Sequence, residues 1–372
     1  MKKIVFNATI LNNKLTGLGV YCRNILERID KNIVDKILFT NLYKENGCYN
    51  NKIVLKIENN NKIKEIFLRN YKLNRWIEKN KESNMIFYSP THHGITTKGI
   101  KQIITIHDLI PLYYPKGRIH QYIYYKYKLK KIIEKSDLII TVSNNTKKDI
   151  LKQYSVDSNK IKVIYNGFDR PKNKIEKSFS KRYVKDKYGV KDYILMVGIH
   201  YNYKNLHSVI KAYSNLKEFR NTQIVIVGNN KVKYGKELEG LCKKLNIADK
   251  VKFLGFVDDY DKEHLYRASK VFVYPSKYEG FGLPVLEAMA NETVVACSNS
   301  SSLPEVVGDA AYTFDPNNIS QIEKAIYDTL TISEDKYTEY INRGKERIKN
   351  FSWDKCAKEV KETILAIANE EK

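Results

Sequence analysis

In the second half of the chain, short β-branched apolar runs alternate with helical patterns. The runs are YILMVG (193–198), QIVIVG (223–228), VKFLGFV (251–257), KVFVYP (270–275) and TVVACS (293–298). KNLHSVIKAYSNLK (204–217) and KEHLYRASK (262–270) lie between them. Strands apolar on both faces, joined through helices, predict a parallel sheet covered on both sides. Right-handed crossovers make that a Rossmann-like, doubly wound domain. The first half repeats the theme, with strands in KIVFNA (3–8), NMIFYSP (84–90), QIITIHD (102–108) and DLIITVS (137–143). Its helices are GVYCRNILERI (19–29) and NTKKDILKQY (145–154).

A chain of 372 residues exceeds one ordinary core, so two α/β domains are expected. DRPKNKIEKSFSKRYVKDKYG (169–189) is basic and lacks a strand pattern, and reads as the linker. The expected division is residues 1–170, residues 171–350, and a tail helix in 351–372 that could cross back to the first domain. That helix would be capped by Ser352 and present Trp353, Cys356 and Val360 on one stripe. Sheets of this kind bind ligands at the carboxyl ends of their strands, so two of them are expected to share a cleft.

Composition excludes several classes. Hydrophobic residues make up 42%, too many for a disordered chain, and no apolar run nears the length of a membrane span. MKKIVFNATI reads as a first strand, not a leader. Five scattered cysteines without a CxxC pair argue for a reducing, cytoplasmic setting and against structural zinc. The net charge of +23 points to a polyanionic partner: nucleic acid, anionic lipid or a phosphorylated substrate.

SKYEGFGLPVLEAMAN (276–291) carries two carboxylates, Glu279 and Glu287. Pro284 suits a first helical position, so a helix is expected from there to Ala290. Gly280-Phe281-Gly282 precedes it, and glycines let a ligand approach backbone N–H groups. Eight helical residues span about 12 Å, whereas a hydrolytic pair needs roughly 5–9 Å. The two glutamates therefore suit opposite ends of one long ligand.

EGFGLPVLE resembles the E-x7-E motif of glycosyltransferase family 4, retaining enzymes of the GT-B fold. TGLGVY (16–21), TIHDLIPLYYP (105–115), VIYNGFD (163–169), YKNLHSVIKAY (203–213), LGFVDD (254–259) and SSSLPEVVGDAAYTFDP (300–316) follow in family order. The resemblance implies two Rossmann-like domains facing a central cleft. It also implies transfer of a sugar from a nucleoside diphosphate to a hydroxyl, with retention. By that resemblance Lys204 and Gly19 meet the diphosphate, and Glu279 holds the donor sugar with backbone from Gly280, Phe281, Gly282 and Leu283. Glu287 bonds the ribose, Val257 and Asp258 flank the base, and His107 stands near the sugar. The catalytic set is then His107, Glu279 and Lys204.

Departures are visible. Ile199 and His200 stand where relatives carry an arginine, and His200 is the candidate replacement among the donor-binding residues. Val20 replaces an arginine of the glycine loop, and Glu292 replaces a glycine. Asp259-Tyr260-Asp261 imitates a metal-binding DxD, but its place before a helix predicts capping and no obligatory metal. His92-His93 reads as a polar loop. In KGRIHQYIYYKYKLKKIIEK (116–135), Tyr122, Tyr125, Leu129, Ile132 and Ile133 share a helical face. Lysines cover the rest, which fits either a core helix or one lying on anionic lipid.

The expected protein is a metal-independent transferase without a cofactor, taking a nucleotide sugar (GDP-mannose as first guess) to a lipid-linked glycan at the inner membrane face. A sugar-nucleotide epimerase or phosphorylase on the same fold is the alternative. A nucleic-acid-binding protein would explain the charge, but no recognition motif accompanies it.

Overall fold

Val5, Phe6, Ile86, Phe87, Ile103, Ile104, Ile139 and Ile140 occupy successive strand positions, and all are fully buried. Strands buried on both faces belong in a parallel sheet. The computed structural model describes residues 2–13, 16–43, 51–56, 71–171, 175–199 and 201–369. Among them the chain divides into two units, Met1–Gly167 with Ser352–Lys372, and Phe168–Phe351.

In the first unit, β1 (Lys3–Asn7), β2 (Val34–Thr40), β3 (Lys52–Leu55), β4 (Met85–Ser89), β5 (Lys101–Ile106), β6 (Leu138–Thr141) and β7 (Ile161–Val163) pair in the order β3-β2-β1-β4-β5-β6-β7. Each pairing is parallel, and β1 meets β4 in unbroken register from Lys3–Met85 to Phe6–Tyr88. The second unit repeats the arrangement. Its strands are β8 (Tyr193–Val197), β9 (Gln223–Val227), β10 (Val251–Gly255), β11 (Val271–Tyr274), β12 (Val295–Ser298) and β13 (Tyr312–Phe314), in the order β10-β9-β8-β11-β12-β13. Both orders reverse beside their first strand, the switch point where α/β sheets bind ligands.

The C-terminal helix, Trp353–Asn369, is capped by Ser352, whose Oγ accepts the Lys355 N–H at 3.1 Å. Trp353, Cys356, Val360 and Ile364 enter the same core as Tyr21, Cys22 and Ile25 of the Gly17–Arg28 helix. Gly167 admits it: a Cβ there would lie 2.2 Å from the Trp353 nitrogen.

Residues 177–188, read as linker, form a helix instead, Lys177–Tyr188. Its buried residues are Ser180 and Val184, too few to print an apolar stripe. Polar contacts hold it. Asp261, buried on the Asp259–Ala268 helix, accepts Lys187 at 2.7 Å, Tyr183 at 2.7 Å and Tyr188 at 2.6 Å. Asp261 is thus not a cap, as sequence implied. Asp258 is the cap, with Oδ1 accepting the Asp261 N–H at 2.8 Å.

Residues 116–135 hold a helix Ile119–Ile123, a π-helical turn Tyr124–Leu129 and a helix Lys130–Glu134. Tyr125, Leu129, Ile132 and Ile133 face the core as expected, while Tyr122 stays half-buried.

Candidate functional site

The EGFG segment leaves β11 and enters the Leu283–Ala290 helix through Gly282, whose φ is +119°. A Cβ on Gly282 would sit 2.7 Å from Leu303 Cδ2, so glycine is required there for conformation and for space. The run of serines after β12 holds this segment from behind. Ser301 Oγ accepts the Glu279 N–H at 3.1 Å and donates to the Glu279 carbonyl at 2.6 Å. Ser302 Oγ donates to the Glu279 carbonyl at 3.0 Å and the Phe281 carbonyl at 2.7 Å. Ser300 donates to the Lys277 carbonyl at 2.9 Å. Phe281 is buried against Phe351, ring centroids 5.6 Å apart, so it offers a ligand only backbone.

Glu279 faces Lys204. Lys204 Nζ lies 2.7 Å from Glu279 Oε1 and 3.1 Å from the Tyr274 hydroxyl, which itself donates to the same Oε1 at 2.7 Å. Among the described residues, Oε2 receives no donor. An ammonium has three N–H groups, so two are engaged and one remains for a ligand. Burial alone would lower the Lys204 pKa, but the Glu279 carboxylate and the Tyr274 and Tyr203 phenols outweigh it and raise it above its ordinary value. Lys204 is therefore a fixed cation, the kind of group that stabilises a departing diphosphate. Asn205 positions it by turning left-handed at φ +61°, its amide donating to the Pro316 carbonyl at 2.7 Å.

Glu287, one turn into the 283–290 helix, has a clasp of the same composition. Tyr266 donates to Oε2 at 3.1 Å, and Lys262 Nζ lies 3.4 Å from the carboxylate. Lys262 also reaches Asp259 at 3.1 Å. Burial lowers its pKa, and the Glu287 and Asp259 charges reverse that and raise it. The two clasps meet through aromatic rings: Phe272 lies 5.1 Å from Tyr266 and 5.6 Å from Tyr274. Sequence reasoning missed Tyr274, Tyr266, Lys262 and the serines. Tyr274 had a readable signal, a hydroxyl at the carboxyl end of a parallel strand. The others become visible only when the helix and loops are folded.

Val257 and Asp258 follow β10, and Asp258 is committed to capping the next helix. Ile199 is buried in the core, and His200 lies outside the described residues. Glu292 has φ +56°, which explains why a glycine would suit that place. Its side chain pairs with Lys345 at 3.1 Å.

Gly19 belongs to the first unit. It lies buried in the first turn of the Gly17–Arg28 helix, where amides lack intrahelical acceptors. His107 follows β5, buried, with Nε2 3.0 Å from the Pro90 carbonyl. A carbonyl only accepts, so Nε2 carries the proton and Nδ1 the lone pair. Burial pulls its pKa to about 4 against the opposing Pro90 bond, so the ring is neutral at pH 7. The Tyr21 ring meets it edge-on at 4.6 Å. His92 Nδ1 is 3.2 Å from the Tyr125 hydroxyl. Among the described residues, no three His, Cys, Asp or Glu side chains group as metal ligands.

Comparison with known proteins identifies the family. Residues 178–347 match the model of the group 1 glycosyl transferases, and residues 15–171 match that of glycosyltransferase family 4. O-antigen chain mannosyltransferase B of Escherichia coli is 29% identical over 95% of this chain and 97% of that protein. O-antigen chain mannosyltransferase RfbU of Salmonella typhimurium is 34% identical over 68% of this chain and 68% of that protein. In fold, Anabaena HepE, crystallised with UDP and glucose, superposes with a TM-score of 0.74 over 98% of this chain and 100% of that one, at 19% identity. The chain belongs to the family 4, group 1 glycosyltransferases.

Proposed function

We propose that this glycosyltransferase moves mannose from GDP-mannose, with retention, to a hydroxyl of a lipid-linked glycan in surface polysaccharide assembly at the cytoplasmic membrane face. The names of the two relatives, both O-antigen chain mannosyltransferases, support the sugar and the polysaccharide product. One observation carries the chemistry: Glu279 keeps Oε2 open while Lys204, paired to its Oε1, retains one N–H. Oε2 accepts a sugar hydroxyl, and the Lys204 N–H bonds the diphosphate. As the bond from the anomeric carbon to the diphosphate oxygen breaks, the acceptor oxygen bonds that carbon. The acceptor proton passes to the departing diphosphate. Lys204 and the N–H groups at the start of the 283–290 helix stabilise the charge that accumulates there.

Glu287 holds the ribose, and Val257 and Asp258 flank the base. For Gly19 and His107 the proposed roles are an amide donor to phosphate and a neutral imidazole beside the sugar.

A thermal-shift series of GDP, UDP, ADP and CMP tests the donor, since a ligand stabilises according to its affinity. The proposal expects GDP to shift the melting temperature most. Labelled GDP-mannose should then be hydrolysed slowly without acceptor and transferred with polyprenyl-diphosphate glycans. Isomerised nucleotide sugar as product would make the chain an epimerase. A larger shift with UDP would overturn the donor.

A further inference from the structure

The Asp259–Ala268 helix is held on two opposite faces. Successive residues advance by about 100° around an α-helix. Lys262 and Tyr266 therefore share one side, and Tyr260, Asp261 and His264 the other. The first side clasps Glu287, with Tyr266 donating at 3.1 Å and Lys262 3.4 Å away. The second side receives the Lys177–Tyr188 helix. Asp258 caps the start, and its Oδ1 accepts the N–H of Asp261 itself.

On the second side the grip converges on one carboxylate. Tyr183 donates to Asp261 Oδ1 at 2.7 Å and Tyr188 to Oδ2 at 2.6 Å. Lys187 Nζ reaches both oxygens, at 2.7 and 2.8 Å. A carboxylate accepts about four hydrogen bonds, so Asp261 has none left to offer a ligand. Its side chain is 6% exposed. Burial alone would raise its pKa, but the bonds from Lys187, Tyr183 and Tyr188 outweigh it and hold it below the ordinary carboxylate value. One turn on, His264 is fully buried, with Nδ1 3.0 Å from Ser180 Oγ. Its ring meets those of Tyr183 and Tyr260, centroids 4.4 and 4.5 Å away. A buried charge that leaves its partners stays uncompensated, so the carboxylate resists displacement. Any roll of the helix that slackens this grip also draws Lys262 and Tyr266 off Glu287.

We infer that Asp261, anchored by Tyr183, Lys187 and Tyr188, is a positioning residue for the nucleoside end of the donor. It fixes the roll of the 259–268 helix, and with it Lys262 and Tyr266 against Glu287. The inference rests on the ribose role proposed above for Glu287 and extends it to a helix that touches neither carboxylate of the E-x7-E pair.

The test is calorimetry and steady-state kinetics on the full chain. It uses whichever of GDP and UDP the wild type binds more tightly, so an error in the donor base leaves it standing. Asp261→Asn keeps the shape of the side chain and removes its charge. It should weaken nucleoside-diphosphate binding several-fold, raise the donor KM by a similar factor and leave kcat within about twofold. Tyr188→Phe changes no charge and leaves the bonds from Tyr183 and Lys187 in place. It should move KM in the same direction by a smaller factor, at a melting temperature near that of the wild type, and it decides the matter should Asp261→Asn fold poorly. In a Glu287→Gln background, Asp261→Asn should add little, because its effect passes through Glu287. Wild-type affinity in Asp261→Asn, with Glu287→Gln impaired, would overturn the positioning role alone. So would losses that add in full in the double variant, or a lowered melting temperature with KM unchanged. Wild-type affinity in Glu287→Gln would overturn the ribose reading and the positioning role with it.

Discussion

Lys204 and Glu279 form an ion pair 2.7 Å long, with side chains only 16% and 11% exposed. Such a pair is costly to break from one side, because the remaining charge stays buried. Lys204→Ala should reduce nucleoside-diphosphate affinity by about 1.5–3 kcal/mol, the value of a charge-assisted contact. Tyr274→Phe separates the roles, since it removes one hydrogen bond from Glu279 and no charge. It should lower kcat by about 1 kcal/mol in barrier, roughly fivefold, while nucleoside-diphosphate affinity stays near wild type. Calorimetry with GDP and steady-state kinetics check both.

The Glu287 clasp predicts a different phenotype. Lys262→Met keeps the length of the stem and removes the charge 3.4 Å from Glu287. If Lys262 positions a ribose-binding carboxylate, the donor KM should rise several-fold with kcat little changed. A merely structural role would instead lower the melting temperature and leave KM alone.

Two substitutions test the loop that presents Glu279. Gly282→Ala meets both a positive φ and Leu303, and should cost about 1–3 kcal/mol in stability. Ser302→Ala removes two hydrogen bonds to the loop and should cost about 1–2 kcal/mol. Denaturant titration reads both, and kcat should fall in each with the melting temperature still above that of the assay.

His107 makes stability depend on pH. The unfolded chain takes up a proton near pH 6.5, whereas the folded ring resists until about pH 4. The unfolded state thus binds more protons between those values, and stability falls as pH drops through that window. The loss from His107 should approach about 3 kcal/mol near pH 4. His207 and His264 are also lowered by burial, so the readout is the difference in slope between wild type and His107→Gln. Equal slopes would deny His107 its buried neutral state.

Most strands that spell themselves out are buried on both faces, with the half-buried edge strand β10 the exception. β1, β4, β5, β6 and β8 to β12 could be read from β-branched runs, whereas β2, β3, β7 and β13 went unread, the last three being short edge strands. The 177–188 helix escaped because Asp261 holds it through Lys187, Tyr183 and Tyr188, contacts that leave no periodic mark. At the site, Glu279, Glu287 and Lys204 stood out through one motif and its family resemblance. Their tyrosines, Lys262 and the serine run did not, because a clasp exists only where separate crossovers converge. Gly19 opens the expected 19–29 helix and lies in the first turn of the helix Gly17–Arg28.

The central claim is that Glu279 and Glu287 hold opposite ends of one donor. Steady-state kinetics on Glu279→Gln, Glu287→Gln and the double variant, with GDP affinity for each, test it most directly. On the proposed reading Glu287 holds a part of the donor remote from the breaking bond, so Glu287→Gln should chiefly raise the donor KM and weaken GDP. On the same reading Glu279 holds the sugar, whose shape and charge change in the transition state, so Glu279→Gln should chiefly lower kcat and leave GDP binding nearly intact. If Glu279→Gln weakens GDP as much as Glu287→Gln does, or if both depress kcat alike with the double variant no worse, the two-ended account is contradicted.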